Sequence, residues 1–264
     1  MFSHSFMVTA FIASFIVSIM IPLMGTVIVL RRMSNIGEAL SHTSLAGVAL
    51  GLVVGWNPTI SSILVCIVAS IIMELIRRFY PKYAEISVNI ILAAGIGLAA
   101  VLSGFTGNSS NFNSYLFGSV VAVSDRELLI IGILGAVVVL FSIFFYHALF
   151  SLTFDEENAR LLHLPLNTLN FAFAILTAVV VAIASKTVGA LIVTSLIVLP
   201  VASAMMVAKS YRSSMIWAVL FAVAFSMGGL TISYYMDFKP GGTMALLGVC
   251  TVLILLPFSR KRGR

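Results

Sequence analysis

Glu38 and His42 are the residues of this sequence best suited to chemistry. They stand in the stretch Arg31-Arg32-Met33-Ser34-Asn35-Ile36-Gly37-Glu38-Ala39-Leu40-Ser41-His42-Thr43-Ser44-Leu45-Ala46-Gly47. Four apart, they share one face of a helix with Cβ atoms about 6 Å from each other. A carboxylate and an imidazole so placed can bind one divalent cation together. Ionisable groups within a membrane span are expensive and face the bundle interior or a water-filled cavity. The plainer alternative puts Glu38 just past the membrane surface, near Arg31 and Arg32, and gives His42 an ordinary interhelical hydrogen bond. In a two-fold dimer an isologous interface would repeat each residue. Two copies facing the axis would then offer two oxygens and two nitrogens, a tetrahedral set suited to zinc. Because the ion must also leave, such coordination is expected to be transient.

The helix carrying this pair belongs to a chain that is 61% hydrophobic and 9% charged, where a soluble domain carries about 25% charge. Mean hydropathy is +1.15, and the apolar residues form long uncharged runs instead of the period-two alternation of a membrane barrel. The expected fold is therefore an all-α integral membrane protein, a polytopic helical bundle. At about 20 apolar residues per crossing, spans fall near 6–30, 35–55, 58–76, 86–105, 127–150, 168–185, 188–207, 214–236 and 243–258. That makes nine crossings, or eight if one segment is re-entrant. The first run is too long for a cleaved signal segment and is expected to stay as a span.

Starting outside, alternation places Arg31, Arg32, Arg77, Arg78, Lys82, Arg160, Lys209, Arg212, Arg260, Lys261, Arg262 and Arg264 in the cytoplasm. Of 15 basic residues, only Arg126, Lys186 and Lys239 then lie outside. The bias predicts an external N-terminus and a cytoplasmic C-terminus. The formal charge of +6 is read as this topology signal and not as nucleic-acid affinity. Two connections exceed a turn, Phe105 to Arg126 outside and Ser151 to Asn167 inside. With no linker, repeat or low-complexity tract, residues 1–264 are expected to form one membrane domain.

Other features read as structural. Gly47, Gly51 and Gly55, with Ser44 near the same stripe, would let helices approach closely. Cys66 and Cys250 lack any paired spacing and are taken as packing residues. The segment from Phe154 to Pro165 reads as a short helix with Asp155, Glu156 and Glu157 in its first turn, favourable to the helix dipole. Its apolar residues fit docking to a cytosolic partner or lying on the bilayer. An anionic leaflet would repel three successive acids, which favours docking. Ser185-Lys186-Thr187 echoes only the end of a phosphate-binding loop, so ATP hydrolysis would need another subunit. No nucleophile-and-base constellation argues for a membrane enzyme. A stand-alone secondary transporter would use more midplane acids than Glu38 and Glu74 supply.

The stretch from Leu30 to Pro58 closely resembles the opening signature of metal-ion permeases of bacterial ABC importers, the family serving zinc, manganese and iron. Three later segments agree in order: Tyr115-Leu116-Phe117-Gly118, Val188 to Leu196 through Pro200-Val201-Ala202, and Gly228 to Ser233 through Asp237. The resemblance implies a permease of the cell (inner) membrane, paired with a second copy and two cytosolic ATPase subunits. An extracytoplasmic binding protein would deliver the ion. It implies no permanently bound cofactor, with Zn2+, or else Mn2+ or iron, as the transported substrate. The family's acid and histidine fall on Glu38 and His42. Its ATPase-coupling helix falls on Phe154, Asp155, Glu156, Glu157, Ala159, Arg160, Leu161 and Leu162. Departures are Glu38 where Asp is common, Ser119 where Asp is usual, and His163 where Gly is usual. The runs after Gly189 and at Gly228 look most like the zinc branch.

Overall fold

A bilayer offers a buried backbone nothing to bond with, so a spanning segment must satisfy its own N–H and C=O groups. In the computed structural model, which describes residues 5–80, 84–105, 116, 124–154 and 165–260, the elements are accordingly helices. They are α1 (Ser5–Leu30), α2 (Ile36–Val54), α3 (Pro58–Phe79), α4 (Ala84–Ser103), α5 (Asp125–Phe144), α6 (Tyr146–Phe154), α7 (Leu166–Ala184), α8 (Ala190–Val207), α9 (Tyr211–Met236) and α10 (Pro240–Arg260). A π-helical turn, Ser185–Gly189, joins α7 to α8.

By composition, 166–207 is one uninterrupted run of 42 residues, which leaves 8 candidate spans. A straight helix of that length would extend about 63 Å, twice the hydrocarbon thickness. The backbone reverses instead at Gly189, whose φ of 107° lies where residues with a Cβ are strained. Three contacts establish the reversal. Asn170, early in α7, accepts a hydrogen bond from Arg31 Nη1 at the C-terminal end of α1, 3.1 Å away. Lys186, after α7, bonds Thr59 at the opposite end, at 2.8 Å. Ile197 and Val201 of α8 press on Gly25, back toward the C-terminal end of α1. The described residues thus form nine long helices and the short α6.

The same contacts sort the charges. Arg31, Arg32, Arg77, Arg78, Lys209 and Arg212 gather at one end of the bundle, with Arg78 over the ring of Phe171, 4.4 Å from its centre. Arg126, Lys186 and Lys239 lie at the other end. Lys82, Arg160 and the last four residues lie outside the described set.

Three expectations need correction. The predicted span 127–150 ends at Phe144, and α6 sets off separately. It does so because Tyr146, Phe150 and Phe154 gather around Tyr211 of α9, while Leu149 and Leu152 turn into the core. Gly55 does not continue the packing stripe. Its φ of 77° makes it the left-handed terminator of α2, its N–H returning to Gly51 O. Cys66 is buried, but Cys250 is exposed on α10, because in a bilayer an apolar residue is as comfortable against lipid as in a core.

Candidate functional site

The pair Glu38 and His42 is positioned by α2, which three other helices hold. Against α3, Ser44 and Ser62 share a hydrogen bond of 2.8 Å, and the Cys66 thiol donates to Leu40 O at 3.4 Å. A Cβ on Gly47 would come within 2.6 Å of Ser62 Cα, so only glycine permits this approach. Against α4, Gly95 lies on the backbone of His42 and Thr43; against α8, Gly37 meets Ile197 and Thr194. Attraction between such helices in lipid is van der Waals contact over small residues, since lipid tails remove the hydrophobic driving force.

This enclosure buries 13 of the 19 residues of α2. Glu38 is exposed and His42 half-buried, so one stripe of the helix remains uncovered by the rest of the chain. Among the described residues no cation pairs with Glu38. Arg31, close in sequence, is turned to Asn170. Neighbouring hydroxyls are occupied: Ser41 donates to Gly37 O at 2.7 Å and Thr43 to Ala39 O at 2.8 Å. One turn beyond His42, Leu45 and Ala46 are sealed by Ala99, Ala190 and Leu116. The pair therefore lies toward the basic end of a helix whose middle is closed and whose last turn, at Val53 and Val54, is exposed again. Among the described residues no three His, Cys, Asp or Glu side chains converge on one point.

Two polar clusters that sequence reasoning did not assemble contrast with this pair. At the far end, Lys186 Nζ is ion-paired to Glu127 and donates to Thr59 Oγ1, and Thr59 donates to Glu127 at 3.1 Å. Glu127 also accepts the Ser124 N–H at 3.1 Å, within the first turn of α5. At the basic end, Glu74 is 6% exposed and paired with Arg77 at 2.8 Å. The second pair had a sequence signal, its i,i+3 spacing. The first had none, its partners lying 59 positions apart. Of the expected coupling segment, Phe154 is exposed at the end of α6. Asp155, Glu156, Glu157, Ala159, Arg160, Leu161 and Leu162 lie outside the described residues.

Fold and site define a class: a multi-pass helical membrane protein with one unpaired carboxylate–imidazole stripe on an enclosed helix. The chain belongs to the ABC 3 transport family, whose model matches residues 3–259, so the permease identification made from the motifs holds. It is 32% identical over 260 residues to a probable metal transport system membrane protein of Treponema pallidum, covering 98% of both chains. With the high-affinity zinc uptake system membrane protein ZnuB of Haemophilus influenzae it shares 31% over 255 residues, 96% of this chain and 97% of that one. With the manganese transport system membrane protein MntC of Halalkalibacterium halodurans it shares 26%, covering 99% and 90%. Among solved structures, PsaBC from Streptococcus pneumoniae in complex with Fab superposes with a TM-score of 0.85 at 28% identity, covering 96% of this chain and 91% of that one.

Proposed function

We propose that this chain is the ion-conducting permease of an ATP-driven metal importer, that zinc is its cargo, and that Glu38 and His42 form its transient binding site. The observation carrying this reading is that Glu38 and His42, on the half of α2 that its neighbours enclose, are left uncovered and outside any ion pair among the described residues. Glu38 is exposed, and an acid left outside any ion pair is open to a cation from outside the chain. Pairing with no cation among the described residues, it is available to a divalent ion. The neutral imidazole of His42 supplies the nitrogen, and a second copy related by a two-fold axis supplies the same pair again. Four donors of this kind suit tetrahedral zinc.

Alternating access follows from the seal beyond His42. With Leu45 and Ala46 covered by α4 and α8, the pair opens toward the basic end. The charge bias assigns that end to the cytoplasm of the inner membrane. Loading from outside requires this seal to part. Energy would come from two cytosolic ATPase subunits, docked through the segment from Phe154 to Leu162. An extracytoplasmic binding protein would present the ion. Zinc is preferred because the ZnuB relative lies above the MntC relative in identity and because imidazole favours zinc over manganese. The manganese relative supports the second reading, the same machine with Mn2+ as cargo.

The test is competitive uptake of radiolabelled zinc and manganese by cells expressing this chain with its neighbouring ATPase and binding protein. Zinc-dominant, ATPase-dependent uptake is expected. Manganese dominance would move the cargo to the second reading, and uptake persisting without the ATPase would sink the importer.

A further inference from the structure

Between α1, α5, the start of α6 and α9 runs a groove of about 690 Å³, within the range of roughly 300–1,000 Å³ that ligand sites occupy. Its trough is apolar, formed by Leu23, Val139, Ile216 and Val219, and its end at the basic side of the bundle carries Tyr146, His147 and Arg212. One polar side chain lies inside it. Ser142 lines the groove, is 3% exposed, and has a hydroxyl with no hydrogen-bond partner among the described residues. Other hydroxyls of the bundle fall both ways: Thr153 bonds Leu149 O and Ser185 bonds Val181 O, whereas Ser14, Ser61, Thr177 and Ser203 share with Ser142 the lack of a partner among the described residues. Of these, Ser142 is the one that lines this groove, where a ligand from outside the chain could supply the bond that hydrocarbon does not. Arg212 is exposed, and no described carboxylate pairs with it.

We infer that this groove binds one anionic phospholipid of the leaflet at the basic end. An acyl chain fills the trough, the phosphate meets the Arg212 guanidinium and His147, and the Ser142 hydroxyl donates to an oxygen of the lipid. Charge complementarity selects this occupant. A guanidinium fork matches phosphate oxygens, and basic pockets between membrane helices on the cytoplasmic side hold anionic headgroups. A second copy fits less well, since a two-fold contact here would set the Arg212 end of one chain beside that of its partner, like charge against like. The proposal is independent of which ion is transported.

The test is photolabelling of the full chain in vesicles with a diazirine-tailed phosphatidylglycerol or its phosphatidylcholine counterpart, with adducts mapped by peptide mass spectrometry. Phosphatidylglycerol is expected to label the peptides bearing Ile143 and Ile216 about fivefold more than phosphatidylcholine, the order that one juxtamembrane basic residue contributes. Arg212→Gln should erase that excess, and Val219→Trp, which fills the trough, should lower labelling by both lipids. Should Val219→Trp fail to fold, Ser142→Ala, which adds no bulk, should still weaken labelling. Equal labelling by the two lipids would reduce the site to ordinary annular contact and overturn the inference. So would a chain-to-chain disulfide formed by Ile216→Cys in a Cys250→Ser background, because a second copy would then cover the groove.

Discussion

Glu127 and Glu38 are both acids inside membrane-spanning helices, and their surroundings are opposite. Glu127 has Lys186, Thr59 and the Ser124 N–H around it, and the cluster ties the N-termini of α3 and α5 to the corner between α7 and α8. Every strong group there has its partner within the chain, so the cluster is complete as folded. Glu38 sits exposed on a helix that its neighbours hold, and among the described residues no cation pairs with it. On the function proposed above, the partner of Glu38 comes from outside the chain. A complete cluster holds structure, whereas the proposed role of Glu38 is to meet a ligand; that difference, more than depth in the membrane, would separate the two acids.

The most severe way to test this contrast is to neutralise the incomplete site. Glu38→Gln or His42→Ala should reduce zinc uptake to the level of cells lacking the permease, at least about a hundredfold, while the complex still assembles on a native gel. The first change preserves size and removes charge; the second removes a ligand outright. Uptake at the level of the unaltered protein in both variants would mean that Glu38 is merely solvated and that the ion passes by another route.

Acids whose partner is expected on another chain should behave as the next case. Reversing charge at both Glu156 and Glu157, each to Lys, is expected to weaken co-purification of the ATPase about tenfold or more, because like charges across an interface cost several kcal/mol. Membrane insertion and the amount of permease should not change. Unaltered co-purification would detach this segment from ATPase docking.

How much of this contrast could be read beforehand depends on distance along the chain. Glu38 and His42 lie four apart, and a local helix brings them together whatever the tertiary fold. The nine apolar runs were legible for the same reason, since each helix satisfies its own backbone. Lys186 and Glu127 meet only after the chain has folded. The reversal between 168–185 and 188–207 was legible too, because Lys186 marks it, although the sequence did not show that Gly189 makes the turn. Hydropathy was blind to sidedness: α2 is 72% buried over its best window and α5 only 22%, although α5 is the more apolar, with mean hydropathy 2.7 against 1.3. Lipid rewards apolar residues on outward faces, so the pattern that marks a core in water marks nothing here.

Glu127→Gln should be milder for function and plainer for stability. It leaves Lys186, whose side chain is 18% exposed, without its counter-charge, and a loss on the order of 1–3 kcal/mol is expected for one unsatisfied, partly buried group. Thermal unfolding of the detergent-solubilised chain should therefore shift down, with uptake per folded molecule preserved. If uptake vanished while stability held, Glu127 would belong with Glu38 and the comparison would fail.

The finest test removes one hydroxyl from the complete cluster. Thr59 Oγ1 accepts from Lys186 at 2.8 Å and donates to Glu127 at 3.1 Å, so it braces an ion pair that can persist without it. Thr59→Val keeps the branched shape and deletes both bonds, at an expected cost of about 0.5–1.5 kcal/mol. A double-mutant cycle with Glu127→Gln gives the decisive reading. In the variant lacking the Glu127 charge, the Thr59 hydroxyl remains an acceptor for Lys186, so the two losses should fall short of additive by a measurable coupling. Strict additivity would mean that the three side chains do not act as one unit. The far end of the bundle would then be held by packing at the α7–α8 corner, and Glu127 would lose its standing as the paired counterpart of Glu38.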